Sequence, residues 1–301
     1  MEIPDKMPYS LEQILSVKEV DIEKIKRDYQ LLIEWNAEVN QIKKCGNKII
    51  NKYQFRELLK CKRDTKNYMT IYDMFNNKLE DDLWQQVIKR KSYNRTKYPK
   101  IREVWETQQI NKGAISFFSS ANAKYIYKKY NAKSVLDPTA GWGGRLLGAT
   151  SLNIKYTGFD TNTNLREGYD KMIHDLDLKN VEMIYQDSLS YDFSNLEYDL
   201  VLTSPPYVNL ELYENMKPFE SIDNFYQEFL IPLMNKCFQY LQVGGKMCFN
   251  ISPDMYEELI EQGFRECHDK ENLKQSLKSK KQRYDYIYIW NKEINAFNSQ
   301  E

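Results

Sequence analysis

The chain has 301 residues, enough for one large domain or two smaller ones, and its 43 Lys and Arg balance its 43 Asp and Glu. No apolar run approaches the roughly 18–20 residues that cross a membrane, and the acidic, polar amino terminus does not read as a signal peptide. Two histidines and five scattered cysteines, with no pair at metal-ligand spacing, argue against a zinc site or a His-based triad, and the thiols fit a reducing, intracellular compartment.

The zero net charge hides an asymmetry. Residues 1–112 hold 23 basic and 17 acidic residues, a net of +6, so the remainder carries −6. A basic arm on an acidic body suggests a polyanionic partner; the plainer alternative is a solvated helical surface. Residues 10–44 keep helical spacing through Leu11, Ile14, Leu15, Val17, Ile22, Ile25, Tyr29, Leu32 and Ile33, with Ser10 as a candidate cap. Residues 43–66 carry nine Lys and Arg against Glu57 and Asp64, and another helix is predicted over 71–90. Residues 86–102 then contain seven basic residues and no acid, with Tyr93 and Tyr98 among them. Lys89, Arg90, Lys91, Arg95 and Lys97 read as a phosphate track with aromatic faces for bases; the alternative is an exposed basic linker.

From residue 113 the pattern becomes α/β. A helix over about 121–130, capped by Ser119 or Ser120, leads to the strand Ser134-Val135-Leu136. That strand runs into Asp137-Pro-Thr-Ala-Gly-Trp-Gly-Gly-Arg, a strand, glycine loop and helix. Glycines let the backbone approach a ligand, and no Gly-Lys-Ser/Thr closes the loop, so it is not a P-loop. Lys155 to Asp160 is a second strand ending in an acid, suited to both hydroxyls of a ribose. Val181 to Asp187 is a third. Leu200, Val201 and Leu202 form a buried fourth strand, stopped by Ser204-Pro205-Pro206-Tyr207. Four successive strands thus end in polar or turn chemistry at one edge, where open α/β sheets bind ligands. An amphipathic helix over 222–241, a strand over Lys246 to Ile251, a mobile basic loop over Lys270 to Arg283 and a final strand over Tyr284 to Trp290 complete the pattern.

Residues 113–292 resemble the amino-group DNA methyltransferases that use S-adenosylmethionine. The resemblance rests on Asp137-Pro-Thr-Ala-Gly-Trp-Gly-Gly, on Ser204-Pro205-Pro206-Tyr207, and on Phe117-Phe118-Ser119-Ser120 before the glycine motif. It implies a class I Rossmann-like fold, a seven-stranded, mostly parallel sheet with one reversed strand, preceded by a mainly helical region over 1–112 and followed by a tail over 293–301. It implies cofactor contacts from Phe118, Ser119, Asp137, Thr139, Ala140, Gly141, Gly143, Asp160, Asp187 and Thr203, with Asp160 on the ribose and Asp187 on the adenine amine. It implies catalysis by Ser204, Pro205, Pro206 and Tyr207, without metal. Serine at 204 leans toward N4 of cytosine over N6 of adenine. DNA is the expected partner, with a homodimer or a partner subunit also expected to be open. The region between the motifs is fully used by the fold, so sequence recognition must come from residues 1–112, the 270–283 loop or a second chain. An RNA or protein amide methyltransferase, and a non-catalytic cofactor-binding subunit, are the competing readings.

Overall fold

The structure, a computed structural model, describes residues 3–38, 44–61, 69–93, 100–111, 117–206, 219–273 and 285–293. Among the described residues, seven strands form one sheet in the order β3-β2-β1-β4-β5-β7-β6. They are β1 (Ser134–Asp137), β2 (Lys155–Phe159), β3 (Val181–Ile184), β4 (Leu200–Thr203), β5 (Lys246–Ile251), β6 (Asp269–Leu273) and β7 (Asp285–Asn291). Strands β1 to β5 are mutually parallel, and β7 runs antiparallel to both β5 and β6. The expected seven-stranded, mostly parallel sheet with one reversed strand is therefore what the chain builds.

Period-two alternation decides which side chain meets which layer. Val135, Leu200, Leu202, Cys248, Ile287 and Ile289 face one core, while Leu136, Val201, Met247, Phe249, Tyr288 and Trp290 face the other. Both faces are covered, which is why β4 reads as an unbroken apolar run. One face carries α7 (Ser120–Lys129), α8 (Gly144–Thr150) and α9 (Arg166–Asp175). The other carries a π-helical turn over Phe225–Leu230, α11 (Ile231–Tyr240) and α12 (Pro253–Glu261), with the short α10 (Ile222–Asn224) leading into the π-helical turn.

The core of the first face continues across residue 112. Ile25 and Leu32 of α2 (Ile22–Glu34) and Ile49, Ile50 and Leu58 of α3 (Asn47–Lys60) belong to it. Tyr53 donates to Asp175 at 2.8 Å, and Lys124 donates to the carbonyls of Leu32 and Ile33, so polar ties cross the same boundary. A separate core gathers α1 (Leu11–Leu15), α4 (Ile71–Asn76), α5 (Glu80–Tyr93) and α6 (Ile101–Asn111) around Trp84. Helix α3 joins the two, because Phe55 and Leu59 face the second core while Ile49 and Ile50 face the first.

Several element boundaries differ from expectation. The helix expected over 10–44 breaks after a 3-10 turn at Ser16–Lys18, and Asp21 caps α2 by accepting from the Glu23 amide at 2.9 Å. The helix expected over 71–90 breaks at Lys78, whose φ of 58° no α-helix accommodates. Residues 270–273 are paired strand rather than loop, because β6 completes the sheet against β7. The rest of that segment, 274–284, lies outside the described residues. Strand β3 stops at Ile184, three residues short of Asp187. None of the described helices is long and apolar enough to cross a membrane.

Candidate active site

The chain leaves β1 toward β2 and β3 on one side and returns to β4 on the other. The strand order therefore reverses between β1 and β4, which opens a crevice at their carboxyl ends. Asp137 ends β1 and Thr203 ends β4 at that crevice.

Asp137 is fully buried. Its Oδ2 accepts from Arg145 Nε at 2.7 Å and from the Tyr156 hydroxyl at 2.6 Å. Its Oδ1 accepts from the Thr203 hydroxyl at 2.8 Å and from the Thr139 amide at 3.4 Å. Buried charge is tolerated when it is paired and hydrogen-bonded, and here both conditions hold. The backbone register explains the Tyr156 contact. Gly158 lies opposite Asp137, and a Cβ at Gly158 would sit 2.7 Å from the Tyr156 ring, so the absence of a side chain there leaves the ring its place. Burial and the Asp137 carboxylate both push the Tyr156 phenol well above its ordinary value, so it stays a donor.

The glycine loop is held from three sides. Ala140 donates to the Phe159 carbonyl at 2.7 Å, Tyr169 of α9 donates to the Gly141 carbonyl at 2.8 Å, and Arg145 donates to the Thr139 carbonyl. Gly141 and Gly143 both take positive φ, 62° and 90°. Gly144 opens α8 under the backbone of Phe118, where a Cβ would lie 2.0 Å from that carbonyl oxygen. Ser119 caps α7 by accepting from the Asn122 amide at 3.4 Å, and the Phe118 ring lies 5.4 Å from the Arg145 guanidinium. The expected segment before the glycine motif is thus packed directly on it.

The glycine loop also touches the proline loop. Thr139 and Thr203 hydroxyls lie 2.6 Å apart, and the Thr139 hydroxyl donates to the Ser204 carbonyl at 3.2 Å. Ser204 and Pro206 are half-buried and Pro205 is buried. Tyr207 lies outside the described residues.

On the β2 side, Asp160 is the first residue beyond its strand and half-buried. Its Oδ2 accepts from the Gly141 amide and its Oδ1 from the Asn162 amide, both at 2.8 Å. Burial pushes its carboxyl up to about 6 despite those two donors. Tyr185 follows β3. Its hydroxyl oxygen is buried and, among the described residues, has no hydrogen-bond partner, and the Arg166 guanidinium lies 4.4 Å from its ring centroid. Asp187 is exposed, and its Oδ1 accepts from the Leu189 amide at 3.0 Å.

Sequence reasoning missed Arg145, Tyr156, Tyr169 and Tyr185. The first sits inside the quoted motif, and the tyrosines look like ordinary strand and helix aromatics until the fold brings them to the loop. The expected basic track is placed only in part. Lys89 and Arg90 are exposed near the end of α5, with Arg90 donating to Thr107 at 3.0 Å. The side chains of Lys91, Arg95 and Lys97 lie outside the described residues. Residues 86–93 and 101–102 are helical rather than linker.

No family model matches the sequence, and no curated protein matches it. Solved structures that resemble the chain include TrmN from Thermus thermophilus, at 15% identity and a TM-score of 0.44, covering 57% of this chain and 48% of that one. An rRNA methylase from Streptococcus thermophilus is 14% identical with a TM-score of 0.42, covering 60% of this chain and 100% of that one. A Listeria monocytogenes protein provisionally assigned to the class I S-adenosylmethionine-dependent methyltransferases is 14% identical with a TM-score of 0.44, covering 93% and 91%. The chain therefore spans about half the length of TrmN. The strand order, with one reversed strand among the described residues, defines the class I Rossmann-like methyltransferase fold.

Proposed function

We propose that this chain is an S-adenosylmethionine-dependent methyltransferase acting on an exocyclic base amine of DNA, with N4 of cytosine ahead of N6 of adenine. The observation that carries the reading is the contact between the two motifs at the strand-order reversal: Thr139 of the glycine loop reaches both Thr203 and the carbonyl of Ser204. A nucleotide-type loop and a Ser-Pro-Pro loop in hydrogen-bond contact would put a methyl donor and an amine in one crevice.

The residues fit that cofactor. Asp160 is a half-buried carboxylate at the strand end, with each oxygen committed to one backbone donor and further lone pairs left for hydroxyls. Tyr185, just beyond β3, offers a buried hydroxyl that has no partner among the described residues. Among the described residues, a Cβ built on Gly141 meets nothing closer than 3.9 Å, so the loop leaves room beside its backbone. The bound cofactor would supply a methyl group activated on a sulfonium.

The chain's own residues would do the rest. The base amine is a poor nucleophile because its lone pair is delocalised into the ring. Donating its hydrogens to the Ser204 hydroxyl and the Pro205 carbonyl would favour a more tetrahedral nitrogen. Two consecutive prolines fix the direction of those acceptors, so the gain is mainly positioning. Tyr207 would stack on the base. Serine is a weak base, so the proton would leave after transfer. The base must leave the duplex, at about a few kcal/mol. Lys89 and Arg90 lie exposed on α5 as candidate phosphate contacts, and neutralising both should flatten the salt dependence of binding.

The test is transfer of a labelled methyl to native DNA, followed by nucleoside digestion and mass spectrometry. N4-methylcytosine or N6-methyladenine is the expected product. Label in RNA or protein alone would replace the DNA reading, and no transfer with cofactor bound would favour a non-catalytic subunit.

A further inference from the structure

We infer that Thr139 and Thr203 are not cofactor contacts but a bridge that makes occupancy of the glycine loop set the position of Ser204. The inference rests on the proposed cofactor-binding reading and assigns these two hydroxyls a positioning role within it.

Each threonine hydroxyl has one proton to donate. Thr203 is fully buried and gives its proton to Asp137 Oδ1, a carboxylate oxygen that can only accept. In the 2.6 Å contact between the two hydroxyls, Thr139 is then the donor. The same Thr139 proton has a second acceptor within reach, the Ser204 carbonyl at 3.2 Å. Thr139 thus stands between two acceptors on the β4 side, and its backbone amide is itself tied to Asp137. The Thr203 hydroxyl has no proton left for a ligand.

The geometry makes the bridge stiff. Asp137 is immobilised by Arg145 and Tyr156, and Arg145 also holds the Thr139 carbonyl. The Ser204 carbonyl belongs to the peptide bond that leads into Pro205. Fixing that carbonyl orients the peptide plane from which the Ser204 hydroxyl and the Pro205 carbonyl are presented. The glycine loop is meanwhile anchored to the ligand side, since Gly141 donates to Asp160. A ligand that engages Asp160 therefore pulls on a loop whose other end holds Ser204. Coupling of this kind runs through one contiguous hydrogen-bonded element.

Hydrogen exchange at the Ser204 amide, with S-adenosylhomocysteine as the probe, tests the bridge in the wild type, in Thr139→Val and in Thr139→Ser. Valine keeps the shape and removes the hydroxyl; serine restores it. In the wild type the probe should slow Ser204 exchange about tenfold, and in Thr139→Val it should bind within about threefold of wild type yet give no such slowing. Thr139→Ser should recover the slowing. Slowing retained in Thr139→Val would overturn the bridge. So would a loss of probe affinity in Thr139→Val that matches the loss in Asp160→Ala, since the hydroxyl would then be a ligand contact. If the wild type fails to bind the probe, the cofactor reading falls, and the bridge is judged without ligand. Faster Ser204 exchange in Thr139→Val than in wild type and Thr139→Ser would then uphold it, and equal exchange would overturn it.

Discussion

At the junction of β1 and β4, Asp137, Arg145, Thr139 and Thr203 spend their polar groups on one another. At the ends of β2 and β3, a few residues away along the same edge, the chemistry is left open. Asp160 carries a carboxyl pushed up to about 6, Tyr185 holds a buried hydroxyl without a partner among the described residues, and Asp187 faces solvent. A satisfied network holds geometry, because breaking any bond leaves an orphan in a low-dielectric interior. An unsatisfied one stores free energy that a ligand can recover. The first half of the edge therefore reads as scaffold and the second as receptor, although sequence reasoning assigned ligand contacts to both.

The largest effect is expected from Asp137→Ala. Removing one partner of a buried ion pair costs about 3–5 kcal/mol, so the variant should lose much of its stability toward urea before any binding is measured. A loss under about 1 kcal/mol would mean that the network is not the scaffold. Asp160→Ala should do the reverse: the fold remains, and S-adenosylhomocysteine affinity by calorimetry falls at least about tenfold, some 1.4 kcal/mol. Unchanged affinity would remove Asp160 from the receptor half.

Ribose hydroxyls donate to an ionised carboxylate, so affinity should rise as pH climbs through about 6 and level off above it. The ligand-free protein carries the opposite sign. Its Asp160 carboxyl is raised from 3.8, so this group's contribution to stability is whole below about 3.8 and lost as pH passes about 6. Binding that is flat from pH 5 to 7 would separate Asp160 from the ligand. The smallest effect belongs to Tyr185→Phe. Deleting an unpartnered buried hydroxyl should leave the ligand-free protein as stable or slightly more so, while affinity drops about threefold, the range of one neutral hydrogen bond. A loss of stability with unchanged affinity would place Tyr185 in the scaffold half.

Much of this architecture was legible in the chain. The strands β1, β2, β4 and β5 could be read as short stretches ending in Asp137, Asp160, Ser204 and Ile251, and for β4 the unbroken Leu200-Val201-Leu202 run also marked a strand covered on both faces. The Ser10 and Ser119 caps were visible for the same local reason: each side chain satisfies an amide only three residues away. The break at Lys78 and the strand β6 were not visible. Lys78 takes a conformation its residue type does not advertise, and Asp269-Lys-Glu-Asn-Leu273 becomes strand only because β7 offers an edge to pair with.

The fold class, the glycine loop and the proline loop can be read from the letters alone, since each depends on residue type and spacing within a few positions. Which residues of those loops face a ligand, and which face each other, was decided by tertiary structure alone. Asp137 and Asp160 both end adjacent parallel strands and look equivalent in a row of letters. Tyr156, Arg145 and Thr203 converge on the first and bury it, while two backbone amides and a half-open surface leave the second able to accept more. That difference comes from contacts between residues as far as 66 positions apart, which no local pattern encodes.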